Sequence, residues 1–170
     1  LTTRITKINT FGKGESLIGE TLQHLMARNS NPQVGTTVHD GIVSIRIYAT
    51  GTPEQTAADT DSLRQKIHTL LHPYIFSEND TPLEEVVASL LKQKHLTLAT
   101  AESCTGGLLA TLLTDIPGSS AYFQRGWITY ANQAKHDALA IPNDLLQQHG
   151  AVSDPVAQAM AENARKFGRS

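Results

Sequence analysis

The stretch Ala99-Thr-Ala-Glu-Ser-Cys-Thr-Gly-Gly107 constrains this chain more than any other. Before it stands Leu96-Thr-Leu-Ala-Thr100, whose alternation is that of a short strand. After it stands Leu108-Leu-Ala-Thr-Leu-Leu113, apolar and helical in pattern. A strand therefore runs into a turn of hydroxyl residues and glycines that opens a helix. Such a turn places hydroxyls and unpaired backbone N–H groups at a helix N-terminus, where an anion or a developing oxyanion can be held. Gly106 and Gly107 let a ligand approach the backbone closely.

Three side chains of this turn carry chemistry: Ser103, Cys104 and Thr105. The turn is neither the Gly-x-Ser-x-Gly elbow of an α/β-hydrolase nor a Walker loop. Ser103 is a candidate nucleophile if a base lies within reach, and otherwise an N-cap of the following helix. Cys104, the only cysteine, is a second candidate nucleophile, but is expected to pack under the turn as a small apolar residue.

A second cluster, Trp127-Ile-Thr-Tyr-Ala-Asn-Gln-Ala-Lys135, reads as a strand from Gly126 to Tyr130 running into a helix. Lys135 then sits on the first turns of that helix and Tyr130 at the strand's end. In a parallel sheet the strand C-termini share one edge, where ligands bind, and Ser103 and Tyr130 both fall at such ends. A lysine held beside a serine accepts its proton when burial or nearby positive potential favours the neutral amine. The competing readings are a solvated helix lysine for Lys135 and a half-buried strand aromatic for Tyr130. Between the clusters, Pro117-Gly-Ser-Ser-Ala121 is a turn whose two hydroxyls, Ser119 and Ser120, either bind phosphate or only shape the turn.

Four motifs together resemble those of the CinA family, in the same order and spacing. They are Thr100-Ala-Glu-Ser-Cys-Thr-Gly-Gly107, Asp115-Ile-Pro-Gly-Ser-Ser120, Thr129-Tyr-Ala-Asn-Gln-Ala-Lys135 and His149-Gly-Ala-Val-Ser153. The resemblance spans about residues 80 to 170. It implies an amidohydrolase that converts nicotinamide mononucleotide to nicotinate mononucleotide and ammonia. It also implies Ser–Lys catalysis: Ser103 as nucleophile, Lys135 as its base and Tyr130 beside them. Thr105 and Gly106 fall where backbone amides would meet the oxyanion or the phosphate. Gly107, Ser119, Ser120 and Asn132 complete the implied nucleotide-binding set. The implied partner is a small nucleotide, with no cofactor, and the full-length protein is expected to be a homo-oligomer. Upstream, Phe11-Gly-Lys-Gly-Glu15 and Asn31-Pro-Gln-Val-Gly35 are similar to the family's KH-like central module.

The expected fold is thus an α+β KH-like module over residues 1–76, a linker over 77–82, and an incomplete α/β domain of the CinA C-terminal type over 83–170. In the family a nucleotide-binding domain precedes the central module. After the position of Ser170 come a strand, a Thr-Gly-x-Ala-Gly-Pro loop and a Lys-Pro-Val-Gly motif. These 170 residues are therefore expected to be a fragment, inactive by itself, with sheet edge and apolar surface exposed. The alternative is a non-enzymatic protein, in which the KH-like module is a spacer or binds RNA and the second domain is vestigial.

In the first module, Leu1 to Asn9 alternates as a strand. Glu15 to Ala27 places Leu17, Ile18, Leu22, Leu25 and Met26 on one helical face. Thr36 to Tyr48 is a hairpin turning at Asp40-Gly41, with Val43, Ile45 and Ile47 on the apolar face. Thr52-Pro-Glu-Gln55 is a capping box opening a helix to Leu71. The resulting order is β-α-β-β-α, and Pro82 opens a further helix over 83–94.

No apolar run approaches the roughly 20 residues of a membrane span, and no signal segment opens the chain. A net charge of −2 offers no general attraction to nucleic acid. Arg4, Lys7 and Lys13 lie near the loop Gly12-Lys-Gly14, but that loop is not a Gly-x-x-Gly clamp. One cysteine excludes an internal disulfide and fits the cytoplasm. His68 and His72 stand one helical turn apart without a third ligand, so no metal is expected.

Overall fold

Asp40 and Gly41 both take positive φ, 49° and 76°. They reverse the chain between β2 (Gln33–His39) and β3 (Ile42–Gly51) in the tight way that a two-residue hairpin requires. The computed structural model describes residues 1–170 and divides them into two units, Leu1–Leu83 and Glu84–Ser170. In the first unit β1 (Thr2–Thr10) pairs antiparallel with β3 along its whole length, and β4 (Ile75–Ser77) pairs with the end of β1. The sheet order is β2-β3-β1-β4.

Alternation along β3 sends Val43, Ile45 and Ile47 to one face, where all three are buried. They meet Ile18 and Leu22 from α1 (Glu15–Leu22) and Ile67 and Leu71 from α2 (Pro53–Leu71). The capping box of α2 is complete: Thr52 Oγ1 accepts from Gln55 N, and Gln55 Oε1 accepts from Thr52 N, both at 3.3 Å. The opposite face carries polar groups. Ser44 donates to Asn9 Oδ1 at 2.7 Å, and Asn9 Nδ2 donates to Ser77 Oγ and to the carbonyl of Asn79. On α2, Arg64 pairs with Glu78 and the His68 ring contacts the same carboxylate, so His68 is engaged within the first unit.

Three expectations for this unit need correction. The helix from Glu15 gives way at Gln23 to a 3₁₀ turn, Gln23–Leu25, rather than running to Ala27. Leu17 is 56% exposed and does not share the buried face of Ile18 and Leu22. The order gains a fourth strand, since β4 is three residues long, too short to show an alternation of period two.

In the second unit α3 (Leu83–Gln93) precedes a two-stranded parallel sheet of β5 (Leu98–Glu102) and β6 (Phe123–Ile128). Strand β5 begins and ends two residues later than the sequence suggested, so Glu102 belongs to it. Alternation again sets the faces. Ala101 and Trp127 pack towards α5 (Asn132–Leu139), α6 (Asn143–His149) and α7 (Asp154–Gly168), with Leu139, Ile141, Leu146, Val156 and Met160 in that core. Thr100 and Glu102 point to the other face, towards α4 (Leu108–Thr114). Buried Tyr122 donates its hydroxyl to the carbonyl of Leu113 at 2.5 Å, tying α4 to the segment entering β6.

Strand β3 is bonded on both sides, whereas β5 and β6 have one neighbour each. Native-state hydrogen exchange should therefore be slower over 42–48 than over 98–102 and 123–128. Equal protection in the two sheets would contradict this ordering.

Candidate active site

The parallel pairing of β5 and β6 brings Glu102 opposite Ile128, so the residues that follow, Ser103 and Thr129, emerge at one edge. The chain after β6 turns into α5, and the first turn of α5 carries Lys135 back under this edge. Lys135 is 1% exposed. Its Nζ donates to the carbonyl of Thr129 at 2.8 Å, to the carbonyl of Tyr130 at 3.1 Å and to Ser103 Oγ at 3.0 Å. All three tetrahedral directions of the amine are used, as a buried amine requires. No carboxylate lies within ion-pair distance of it.

Ser103 is thus a partner of Lys135 and not a helix cap. The N-cap of α4 is Gly107, four residues later, at φ 103°. That φ favours glycine, which has no Cβ to strain there; a Cβ would also stand 2.8 Å from the terminal methyl of Ile128, which would have to turn aside. The capping is done by Glu102, a residue to which the sequence reading gave no role. Its Oε2 accepts from the N–H groups of Gly107 at 3.2 Å and Leu109 at 2.9 Å, and its Oε1 from Ala110 at 2.9 Å. Burial opposes ionisation of this carboxyl. The N–H groups of Ala110, Leu109 and Gly107, together with the Thr105 hydroxyl, outweigh that and hold it below its ordinary value of 4.5.

This arrangement corrects the expectation of free amides at the start of α4. The N–H of Gly107 goes to Glu102, and the N–H of Gly106 goes to the carbonyl of Ser103 at 3.1 Å. Neither is available to a ligand. The N–H groups of Cys104 and Thr105 have no acceptor within the chain. Cys104 is exposed, not packed beneath the turn.

Other candidates fall elsewhere. Tyr130 contributes its carbonyl to Lys135, while its side chain is 72% exposed and makes no hydrogen bond with the pair. It is not the half-buried strand aromatic that the alternative described. Asn132, the first residue of α5, is exposed at the same edge. Ser119 and Ser120 lie in a 3₁₀ turn just before β6 begins. They are therefore at the opposite end of the sheet from Ser103, about 15 Å away along the strands. Within this chain they do not join the Ser103 edge, and Ser119 Oγ donates to the carbonyl of Thr114 at 3.2 Å.

A pocket of about 390 Å³ opens beside the nucleophile candidate. Ala101, Ser103 and Cys104 form one wall, and Val152, Ser153 and Asp154 at the start of α7 face them. The motif His149-Gly-Ala-Val-Ser153 supplies this second wall, although its spacing alone assigned no role to it. Val152 is almost fully exposed, an apolar side chain at the pocket mouth.

Comparison with known proteins agrees with the motifs. The profile of the CinA C-terminal domain matches residues 80–170, and that of the damage-inducible protein CinA KH domain matches residues 6–77. The chain belongs to the CinA family. It is 44% identical over 167 residues to a competence-damage inducible protein of Caldanaerobacter subterraneus subsp. tengcongensis, covering 98% of this chain and 40% of the relative. It is 40% identical over 168 residues to one from Thermoanaerobacter pseudethanolicus, again covering 40% of the relative. Among solved structures it is similar to the CinA superfamily protein ECK1530/EC0983 of Escherichia coli. There the TM-score is 0.51 and the identity 34%, over 52% of this chain and 51% of that one. The competence damage-inducible protein A of Klebsiella pneumoniae gives a TM-score of 0.51 and 33% identity, over 52% and 55%. The chain thus spans two fifths of the length of these curated CinA relatives.

The Glu102 carboxylate makes this site acid-sensitive. Its folded value lies below the unfolded one, so its contribution to stability is complete above about pH 4.5 and is lost as pH falls through the folded value. Trp127, the only tryptophan, reports on the second unit alone. Urea unfolding followed by its fluorescence should show a midpoint that drops below about pH 4.5. Glu102→Gln should flatten that dependence, and an unchanged pH dependence in the variant would refute the assignment.

Proposed function

We propose that this chain carries the nucleophile and base of a nicotinamide-nucleotide amidohydrolase, acting on the carboxamide of nicotinamide mononucleotide. The observation that carries the reading is the 3.0 Å contact between Ser103 Oγ and a buried Lys135 amine whose other partners are both neutral carbonyls.

The chemistry follows from that geometry. A neutral amine has two protons and one lone pair. The carbonyls of Thr129 and Tyr130 take the two protons, so the lone pair faces Ser103 and receives the hydroxyl proton as Oγ attacks the carboxamide carbon. The C–N bond then breaks. The proton held on Lys135 passes to the departing nitrogen, which leaves as ammonia, and the acyl group stays on Ser103 as an ester. Water attacks the ester with Lys135 again taking a proton; the bond between the acyl carbon and Ser103 Oγ breaks, Oγ recovers that proton from Lys135, and the acid released loses its own proton to solvent and leaves as the carboxylate. The unpartnered N–H groups of Cys104 and Thr105 are the donors nearest in sequence to the developing oxyanion. The pocket between Ser103 and the start of α7 is the space in which the substrate would lie. Family membership supports hydrolase chemistry, and the amide substrate is the finer reading proposed here.

Ser103→Ala in the full-length protein should remove ammonia release from nicotinamide mononucleotide by several orders of magnitude. Stability should fall by only about 1 kcal/mol, the worth of one hydrogen bond, because the carbonyls of Thr129 and Tyr130 still hold the amine and Ser103 caps no helix. Retained ammonia release in Ser103→Ala would contradict the reading.

A further inference from the structure

We infer that Glu102 is the positioning residue of the Ser103–Lys135 pair, holding both partners in register through a single buried residue. This inference rests on the reading of Ser103 as nucleophile and Lys135 as base.

The argument starts from the neighbours of Glu102 in the chain and in space. Its carboxylate, 4% exposed, takes three N–H groups of the turn and the first residues of α4. Those contacts close residues 103 to 107 into a fixed loop, with the carbonyl of Ser103 accepting from Gly106 inside it. The carbonyl of the same glutamate accepts from Thr129 N at 2.8 Å. The carbonyl of Thr129 in turn accepts from Lys135 Nζ. The path from Glu102 through Thr129 and Lys135 to Ser103 Oγ returns to Glu102 by one peptide bond. It is a closed ring of hydrogen bonds built on the two strand ends. Thr129, 1% exposed, has no freedom to shift while both bonds are made.

The direction of the carboxylate matters as much as its reach. Glu102 and Lys135 are the two buried charge-bearing side chains of this unit, yet they form no ion pair. A carboxylate against the amine would favour its protonated form and occupy the direction that faces Ser103. The alternation of β5 instead sends the Glu102 side chain to the α4 face, where backbone amides satisfy it. Lys135 keeps only neutral acceptors and the serine. Glu102 touches no reacting atom, so it acts through the placement of the pair.

A substrate-independent probe tests this. In the full-length protein, a sulfonyl fluoride transfers its sulfonyl group to Ser103 Oγ with loss of fluoride, and the rate of labelling per folded molecule is measured by mass spectrometry. Glu102→Gln keeps the size of the side chain but turns an amide NH₂ towards at least one backbone N–H. The folded variant should label about 10²-fold more slowly, as expected when reacting groups move by about an ångström, and lose kcat by a similar factor with KM little changed. Glu102→Asp keeps the charge one methylene short of the amides, and should label at a rate between Glu102→Gln and the parent. It also decides the matter if Glu102→Gln does not fold. A folded Glu102→Gln, or failing that a folded Glu102→Asp, that labels at the parent rate overturns the inference. Ser103→Ala separates the two claims. If its labelling equals the parent's, the Ser–Lys reading itself fails. If its labelling vanishes while the Glu102 variants match the parent, only the positioning role fails.

Discussion

A lysine amine taken out of water must recover the hydrogen bonds it gives up, and the second unit is arranged around doing that for Lys135. Leaving such a group unpaired costs several kcal/mol, more than most single contacts in a domain return. Its acceptors are two backbone carbonyls just past β6 and the hydroxyl just past β5. A parallel pair of strands ending at the same level offers that set to one amine. The register of β5 on β6, the turn into α5 and the burial of the Lys135 stem are therefore one constraint. The reactive contact between Lys135 and Ser103 is the part of it that is not purely structural.

The other buried charge obeys the same rule by different means. Glu102 is satisfied by the amides that open α4, and that use of the helix end removes the amides from ligand binding. A short helix whose first N–H groups face a carboxylate from the preceding strand is a closed structural unit, with Gly107 at positive φ making the turn into it. Ligand-facing capacity moves to the pocket between Ser103 and the start of α7. The first unit meets its constraints more conventionally. Its helices cover one face of an antiparallel sheet, and Asn9, Ser44 and Ser77 satisfy one another on the other.

Much of this was legible in the residues, for identifiable reasons. The hairpin at Asp40-Gly41 and the capping box at Thr52 are local devices whose chemistry is complete within a few residues. The pairing of Ser103 with Lys135 was reachable because both clusters follow strands, and strand ends share an edge. What stayed hidden depends on contacts distant in sequence or on face. Glu102 reads as part of the turn when the alternation is followed only to Thr100. Carried two residues further, the same period places Glu102 with Thr100 on the α4 face. Ser119 and Ser120 precede β6 and so stand at its N-terminal end, away from the edge that carries Ser103. The contact of Tyr130 with Lys135 is made through its carbonyl, which every residue type has and which no sequence motif can single out.

Direct detection of the acyl intermediate tests the account's central claim. Full-length protein mixed with nicotinamide mononucleotide, quenched in acid within one turnover and digested, should yield a Ser103 peptide heavier by the acyl group of the nucleotide. The claim predicts an ester on Ser103, absent from Ser103→Ala. Release of ammonia with Ser103 unmodified at every quench time, and undiminished in Ser103→Ala, would contradict it.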